Sequence, residues 1–201
     1  APIAITKNSL SIEGKLQAFV VNSGNANAGT GKEGLKNADR MRRSVAEQLG
    51  IPHHRVGVAS TGVIGQQLPI ESVVKGIKEV VSKKSKQGAD NFAQAIMTTD
   101  TFPKTVEVQL MIEGEKVTIA GCAKGSGMIH PQMATMLGFI TTDARIAYPT
   151  LERLLKETTD ETFNMITVDG DCSTNDTLVV MASGQVEHSL LHFDHPEWSK
   201  F

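Results

Sequence analysis

The chain has 201 residues, of which 40% are hydrophobic, and its formal net charge at pH 7 is -2. This composition suits a packed core, and the charge gives no electrostatic reason to expect a nucleic acid or an anionic membrane as partner. No apolar run is long enough to span a bilayer. The two cysteines, Cys122 and Cys172, lack the spacing of a zinc site or a disulfide framework. We therefore expect a cytoplasmic protein whose partners are small molecules or other proteins.

The first elements are a strand, a glycine loop and a helix. Residues 16–22, LQAFVVN, predict a buried strand that enters SGNANAGTG, where Gly and Asn supply positive φ angles. Apolar residues at helical spacing over 35–49 predict a helix that ends at Gly50. Its solvated face is expected to carry three arginines, Arg40, Arg42 and Arg43.

The same pattern then recurs. Residues 56–61 predict a second strand that ends in STGVIG, and Pro69 opens a second helix. Its apolar side is formed by Ile70, Val73, Val74, Ile77, Val80 and Val81.

The second half of the chain mixes a hairpin with further strands and a helix. Alternating residues over 105–120 predict a hairpin that turns at Glu113-Gly114. Residues 135–144 and 177–183 have strand composition, and Pro149 begins a helix between them. Without a low-complexity linker, the pattern predicts sheets layered with helices and no clean domain boundary, an α/β protein.

Three familiar ligand motifs are not favoured. Residues 169–176, DGDCSTND, have the alternating oxygens of a calcium loop, but Thr174 and Val180 replace its glycine and glutamate, which favours an acidic turn. Lys124 precedes its glycines, the reverse of a P-loop. The cluster of late histidines fits no zinc spacing and is interpreted as a surface group: His188, His192 and His195.

Residues 124–137, KGSGMIHPQMATML, allow two interpretations. In one, a glycine loop simply leads into a buried strand. In the other, Thr135 is a nucleophile exposed by cutting the Ala134-Thr135 bond. A threonine hydroxyl needs a base, and the α-amino group of an N-terminal threonine, with an unperturbed pKa of about 7.7–8.0, supplies one. The residues by themselves leave both interpretations open.

Six segments together carry a family resemblance. They are VVNSGNANAGTG (20–31), ASTGVIG (59–65), IMTTDTFPK (96–104), AKGSGMIHPQMATML (123–137), FITTDA (139–144) and TVDGDCSTNDT (167–177). In this order and spacing they resemble the ornithine acetyltransferase family, the ArgJ proteins of arginine biosynthesis. The resemblance spans nearly the whole chain. It implies a layered αββα sandwich with mixed sheets, the DmpA/ArgJ-like fold.

The resemblance also implies an activity. Family members are threonine-nucleophile acyltransferases that cleave themselves, here between Ala134 and Thr135, so that residues 1–134 end an α chain and 135–201 begin a β chain. Acetyl passes in a ping-pong reaction from N2-acetyl-L-ornithine through acetyl-threonine to L-glutamate. Some members also accept acetyl-CoA as donor. No metal or bound organic cofactor is implied.

The family's site residues carry over to five positions in all. Thr135 is the nucleophile, and the Thr61 hydroxyl with the Gly62 N–H would hold the oxyanion. Thr98 and Lys124 match substrate-binding positions, Lys124 as the partner of an α-carboxylate. Simpler roles remain open for some of them: Thr61 as a cap, Lys124 as a solvated loop lysine, and Thr99 or Thr101 in place of Thr98.

Family chains are longer at both ends, so we expect residues 1–201 to form a single partial domain. Its partners would be the remainder of the precursor and, by resemblance, a heterotetramer of two α and two β chains. Self-cleavage and turnover would then depend on the missing sections. Two rival hypotheses stay open. One is a self-processing aminopeptidase or amidase, in which water replaces glutamate as acceptor. The other is an inactive truncated product that only binds a ligand or a partner chain.

Overall fold

The computed structural model describes residues 1–85, 88–127, 136–170 and 173–201, which fall into two compact units, residues 1–100 and 101–201. The first unit contains α1 (Pro2–Glu13), β1 (Ala18–Asn22), α2 (Gly31–Leu49), β2 (Val56–Ser60), α3 (Ile70–Ser82) and α4 (Gly88–Ala95). The second contains β3 (Lys104–Ile112), β4 (Glu115–Lys124), β5 (Leu137–Thr142), α5 (Tyr148–Glu161) and β6 (Thr177–Ala182). Short 3-10 turns span His53–Arg55, Phe163–Met165 and Trp198–Lys200.

The first unit is built on a parallel strand pair. β1 and β2 pair from Ala18↔Val56 to Asn22↔Ser60, and α2 forms the crossover between them. α2 ends where predicted, because Gly50 adopts a left-handed φ of 65° that a side chain would resist. The buried core joins residues of α2, β2 and α3 with Leu68 from the segment before α3: Met41, Val45, Ala46, Val56, Val58, Leu68 and Ile77.

The prediction that Arg42 lies on a solvated face of α2 is wrong. Arg42 is only 5% exposed, whereas the apolar Leu35 is 41% exposed. The Arg42 guanidinium pairs with the carboxylate of Asp39 and donates to Ser9 Oγ at 3.1 Å. Burial of this arginine is possible because the carboxylate and the hydroxyl satisfy its donors.

The second unit is built on one four-stranded mixed sheet in the order β3-β4-β5-β6. β3, β4 and β5 pair antiparallel in succession, and β6 joins β5 in parallel after the α5 crossover. The hairpin turns at Glu113 and Gly114, with φ of 52° and 84°, as the sequence predicted. A buried cluster of Ile112, Val117, Ala144 and Leu191 packs against Trp198 and Phe201.

The predicted α/β class with mixed sheets is confirmed, as are the six strands. The prediction of surface histidines is wrong for His188 and His195, which are 5% and 6% exposed. His188 Nε2 accepts from the Arg145 N–H, and His195 Nδ1 accepts from the Glu197 N–H, so both rings serve as buried acceptors. Across the described ranges, no helix is long and apolar enough to cross a membrane.

Candidate active site

In the first unit, two loops interlock at the ends of the parallel strands. The loop after β1 and the loop after β2 exchange backbone hydrogen bonds: Thr61 N to Asn22 O at 3.0 Å, Val63 N to Gly24 O at 3.2 Å and Ala26 N to Val63 O at 2.9 Å. Both loops leave the same end of the sheet because their strands run parallel. The ASTGVIG and NSGNANAG segments therefore form one cluster.

Thr61 and Gly62 lie at the centre of this loop cluster. Thr61 is 3% exposed, while Gly62 is exposed and has a φ of 129°. A Cβ at Gly62 would lie 2.2 Å from the Gly24 carbonyl carbon, so only glycine fits. The left-handed backbone and the close approach of Gly24 together fix the Gly62 peptide in one orientation.

The Asn25 side chain connects the loop after β1 to the segment before α3. Its Oδ1 accepts from the Asn27 N–H at 2.8 Å, and its Nδ2 donates to the carbonyls of Gln66 and Gln67 at 3.2 and 3.3 Å. An open groove of about 420 Å³ runs along residues 22–25 and 66–69. Thr61 and Gly62 are not among the residues that line this groove.

Thr98 follows α4 on a segment that reaches the same loop cluster. Ser23 Oγ donates to the Ala95 carbonyl at 2.7 Å, which joins the end of α4 to the loop after β1. Thr98 itself is exposed, and its N–H points to Asp100 Oδ2 at 3.5 Å. The structure thus collects Thr61, Gly62 and the Thr98 segment within the first unit.

In the second unit, Lys124 ends β4 and is 1% exposed. The alternative of a solvated loop lysine is therefore wrong. The sheet register aligns Lys124 with Leu137 of β5 and Leu137 with Thr177 of β6. The C-terminal end of β4 accordingly meets the N-terminal ends of β5 and β6.

Asp176 joins this sheet end through its side chain. Its Oδ1 accepts a hydrogen bond from the Met136 N–H at 2.8 Å, and the Thr177 N–H donates to the Met136 carbonyl at 3.0 Å. Burial raises the pKa of Asp176 to about 6, against the opposing effects of the Met136 N–H, the Lys124 charge and the Ser173 hydroxyl. The Asp176 carboxyl thus lies at the same sheet end as Lys124.

Ala134 and Thr135 lie outside the described residues, so their predicted roles stay predictions. The register pairs Lys124 with Leu137, which follows Thr135 by two residues in the chain. The remaining candidates, Thr61, Gly62 and Thr98, belong to the other unit. In the described part of the chain, no three His, Cys, Asp or Glu side chains are grouped to hold a metal ion.

The sequence reasoning missed three residues of these clusters. Asn25 holds the first unit's loops together, and Asn22 has a buried Oδ1 without a hydrogen-bond partner in the described structure. Asp176 is the third. The density of asparagine in NSGNANAG was a signal for the first two, but nothing local distinguishes Asp176 from an acidic turn residue.

Two solved structures share this fold. The arginine biosynthesis bifunctional protein ArgJ of Bacillus halodurans is 47% identical in sequence, with a TM-score of 0.61 over 68% of this chain and 70% of that chain. The ornithine acetyltransferase of Mycobacterium tuberculosis, complexed with ornithine, is 34% identical, with a TM-score of 0.57 over 65% and 69% of the two chains. The fold is therefore that of the ornithine acetyltransferase class.

The family model described as the ArgJ family matches residues 1–201, and the chain belongs to that family. Curated relatives include the arginine biosynthesis bifunctional protein ArgJ of Bacillus anthracis, 53% identical over 201 residues, and that of Staphylococcus aureus strain Mu50, 55% identical over 203 residues. Each match covers 100% of this chain and 49% of the relative. The chain thus spans about half the length of the curated relatives it matches.

Proposed function

We propose that the protein is a glutamate N-acetyltransferase of arginine biosynthesis, which moves acetyl from N2-acetyl-L-ornithine to L-glutamate. Family membership over all 201 residues supports this proposal, as does the similarity to arginine biosynthesis bifunctional proteins. The ornithine found in the M. tuberculosis structure supports an ornithine derivative as substrate.

The nucleophile in this proposal is made by the chain itself. The Thr135 hydroxyl attacks the Ala134 carbonyl carbon, the Ala134-Thr135 C–N bond breaks, and the threonine nitrogen takes up a proton. Water then hydrolyses the resulting ester, which frees the Ala134 carboxylate and the Thr135 hydroxyl. The new α-amino group has an unperturbed pKa of about 7.7–8.0 and serves as the general base.

Transfer then proceeds in two halves. Thr135 Oγ1 attacks the acetyl carbonyl of N2-acetylornithine, and ornithine leaves with the proton that the α-amino group returns. The amino group of glutamate next attacks the acetyl ester, releasing N-acetylglutamate and the free hydroxyl. The Thr61 hydroxyl and the Gly62 N–H would stabilise both tetrahedral oxyanions, a contribution that typically reaches about a hundredfold or more in rate.

The observation that carries the proposal is the burial of Lys124 at the sheet end, where it pairs in register with Leu137. A buried ammonium is costly unless an anion accompanies it, and Asp176 supplies a negative charge nearby. Both N2-acetylornithine and glutamate carry an α-carboxylate. In this proposal the Lys124 ammonium binds that carboxylate while the acetyl group reacts at Thr135. Thr98 would contribute a second polar contact to the substrate.

Further features follow from the same proposal. Acetyl-CoA would be an additional donor, and no metal or organic cofactor would be needed. Residues 1–134 would belong to an α chain and residues 135–201 to a β chain, and two of each would assemble into a heterotetramer in the cytoplasm. The half of the family length that lies outside this chain would complete the pocket.

The first test uses the protein at its native length and measures intact masses under denaturing conditions. We expect a fragment that begins at Thr135, no such fragment from Thr135→Ala, and partial cleavage in Thr135→Ser. Incubation with N2-acetylornithine should acetylate this fragment, and glutamate should remove the acetyl group as N-acetylglutamate. A parent protein that stays uncut, or transfer at the parent rate by Thr135→Ala, would overturn the proposal. Acetyl release without glutamate would favour an amidase.

The role of Lys124 is tested on the same protein. Replacing the ammonium by an apolar chain, Lys124→Met, should lower kcat/KM for N2-acetylornithine and glutamate alike, by roughly ten- to a hundredfold, because a charge-assisted hydrogen bond is lost. Lys124→Arg keeps the charge and serves as the matched variant. An effect on only one of the two substrates would contradict the shared carboxylate site.

A further inference from the structure

Met136 is held from both sides at the point where β5 begins. Its N–H donates to Asp176 Oδ1 at 2.8 Å, and its carbonyl accepts from the Thr177 N–H at 3.0 Å. Leu137 and Thr177, the next residues along each chain segment, are register partners in the parallel β5–β6 pair. The Asp176 side chain therefore extends the hydrogen bonding of the sheet by one residue beyond the strand ends.

This hydrogen bond acts on the peptide that precedes Met136. The Met136 nitrogen is covalently bonded to the carbonyl carbon of Thr135, and the peptide unit between them is planar. An acceptor fixed against the Met136 N–H consequently restricts the rotation of that plane. Met136 is 8% exposed, so water does not readily replace the carboxylate as acceptor.

The second oxygen of the Asp176 carboxyl group is not used in this contact. Asp176 Oδ2 is buried and has no hydrogen-bond partner among the residues that the structure describes. The Ser173 hydroxyl has the weakest of the effects that lower the pKa of Asp176. An unsatisfied buried acceptor costs stability, so a contribution to folding alone does not account for this side chain.

We propose that Asp176 is a positioning residue for acyl transfer, which holds the Thr135-Met136 peptide through the Met136 N–H and so orients the nucleophile. The inference rests on the proposed function of Thr135 and adds to it Asp176, which lies 40 positions after Met136 in the chain. Its physical basis is that a displacement of about 1 Å at a reacting group can reduce a rate about a hundredfold.

The test compares Asp176→Ala with Asp176→Asn in the protein at its native length. Alanine removes the acceptor, whereas asparagine keeps an oxygen that can accept from the Met136 N–H. We expect Asp176→Ala to slow self-cleavage and to lower kcat by roughly ten- to a hundredfold, with KM for N2-acetylornithine nearly unchanged. Asp176→Asn should stay within about threefold of the parent. Asp194→Ala, which removes an exposed carboxylate from the same unit, is the control.

A second readout does not depend on cleavage. Hydrogen exchange of the Met136 amide, measured in the uncleaved Thr135→Ala background, should accelerate in Asp176→Ala and remain slow in Asp176→Asn. An unchanged exchange rate, parent-like kcat in Asp176→Ala, or equal losses in both variants would each overturn the positioning role. If the parent protein neither cleaves nor transfers acetyl, the proposed function and this inference fall together. If the parent cleaves and Asp176→Ala cleaves equally fast, only the inference about Asp176 is overturned, and the proposed function stands.

Discussion

The hydroxyl of Thr6 makes both hydrogen bonds to the Val58 backbone that a neighbouring strand would otherwise make. Thr6 Oγ1 donates to the Val58 carbonyl at 2.8 Å and accepts from the Val58 N–H at 2.7 Å. One turn further along α1, Ser9 Oγ donates to the Val56 carbonyl at 3.0 Å. Among the strands that the structure describes, β2 pairs only with β1, and the polar side of α1 satisfies the other edge of β2. A helix thus covers an edge that would otherwise offer unpaired backbone groups.

This relationship predicts that Thr6→Val destabilises the first unit. Valine has nearly the same shape but leaves the Val58 N–H and carbonyl without their partner, at about 1–3 kcal/mol for each unsatisfied group. Thr6→Ser retains the hydroxyl and should lose only about 1 kcal/mol for the missing methyl. Urea unfolding followed by circular dichroism gives the free energies, and hydrogen exchange at the Val58 amide reports the bond directly. Equal stabilities of the two variants would contradict the edge-covering role.

A second prediction concerns the left-handed backbone at Gly62. Gly62→Ala places a Cβ 2.2 Å from the Gly24 carbonyl carbon, so the two interlocked loops must separate. We expect a loss of about 1–3 kcal/mol in the free energy of unfolding and a fall in acetyl transfer of about a hundredfold. Gly65→Ala is the matched control, because Gly65 has a φ of 82° but no atom within 4 Å of its added Cβ. Transfer that is reduced equally in both variants would indicate strain alone.

The longer helices and most strands of this chain were predictable from the spacing of their apolar residues, and β3 was predictable from its alternation even though Val106 and Val108 are 64% and 51% exposed. α1 was not, since its buried residues are Pro2, Thr6 and Ser9, which carry no hydrophobic period. Arg42 was misplaced for a related reason. Its burial depends on Asp39 on the same helix and on Ser9 of α1, and a contact with an unrecognised helix cannot be predicted.

The candidate site was predictable only where the segments matched a family. The burial of Lys124 follows from its register with Leu137, and strand pairing is not encoded in local spacing. Asp176 was harder still, because its bond to Met136 needs the parallel β5–β6 register across 40 residues. Glu113 is similar: the turn was predicted from Glu-Gly, while its partner Ser189 is 76 residues away.

The last prediction concerns acid stability at the hairpin turn. The Ser189 hydroxyl and N–H donate to the two Glu113 oxygens at 2.5 and 2.8 Å, and these bonds, with smaller help from His195, lower the pKa of Glu113 to about 2. A carboxylate with a lowered folded pKa contributes stability above its ordinary value of 4.5, and this contribution is lost as the pH falls towards 2.

Glu113→Gln removes this charge while keeping the shape of the side chain. We expect the variant to melt below the parent at pH 7, and the difference in Tm to shrink between about pH 4.5 and pH 2, where the parent's Glu113 becomes protonated. Because Trp198 packs against the hairpin's core cluster, its fluorescence reports this unit. A Tm difference that stays constant from pH 7 to pH 2 would show that the Glu113 carboxylate does not stabilise the turn through its charge.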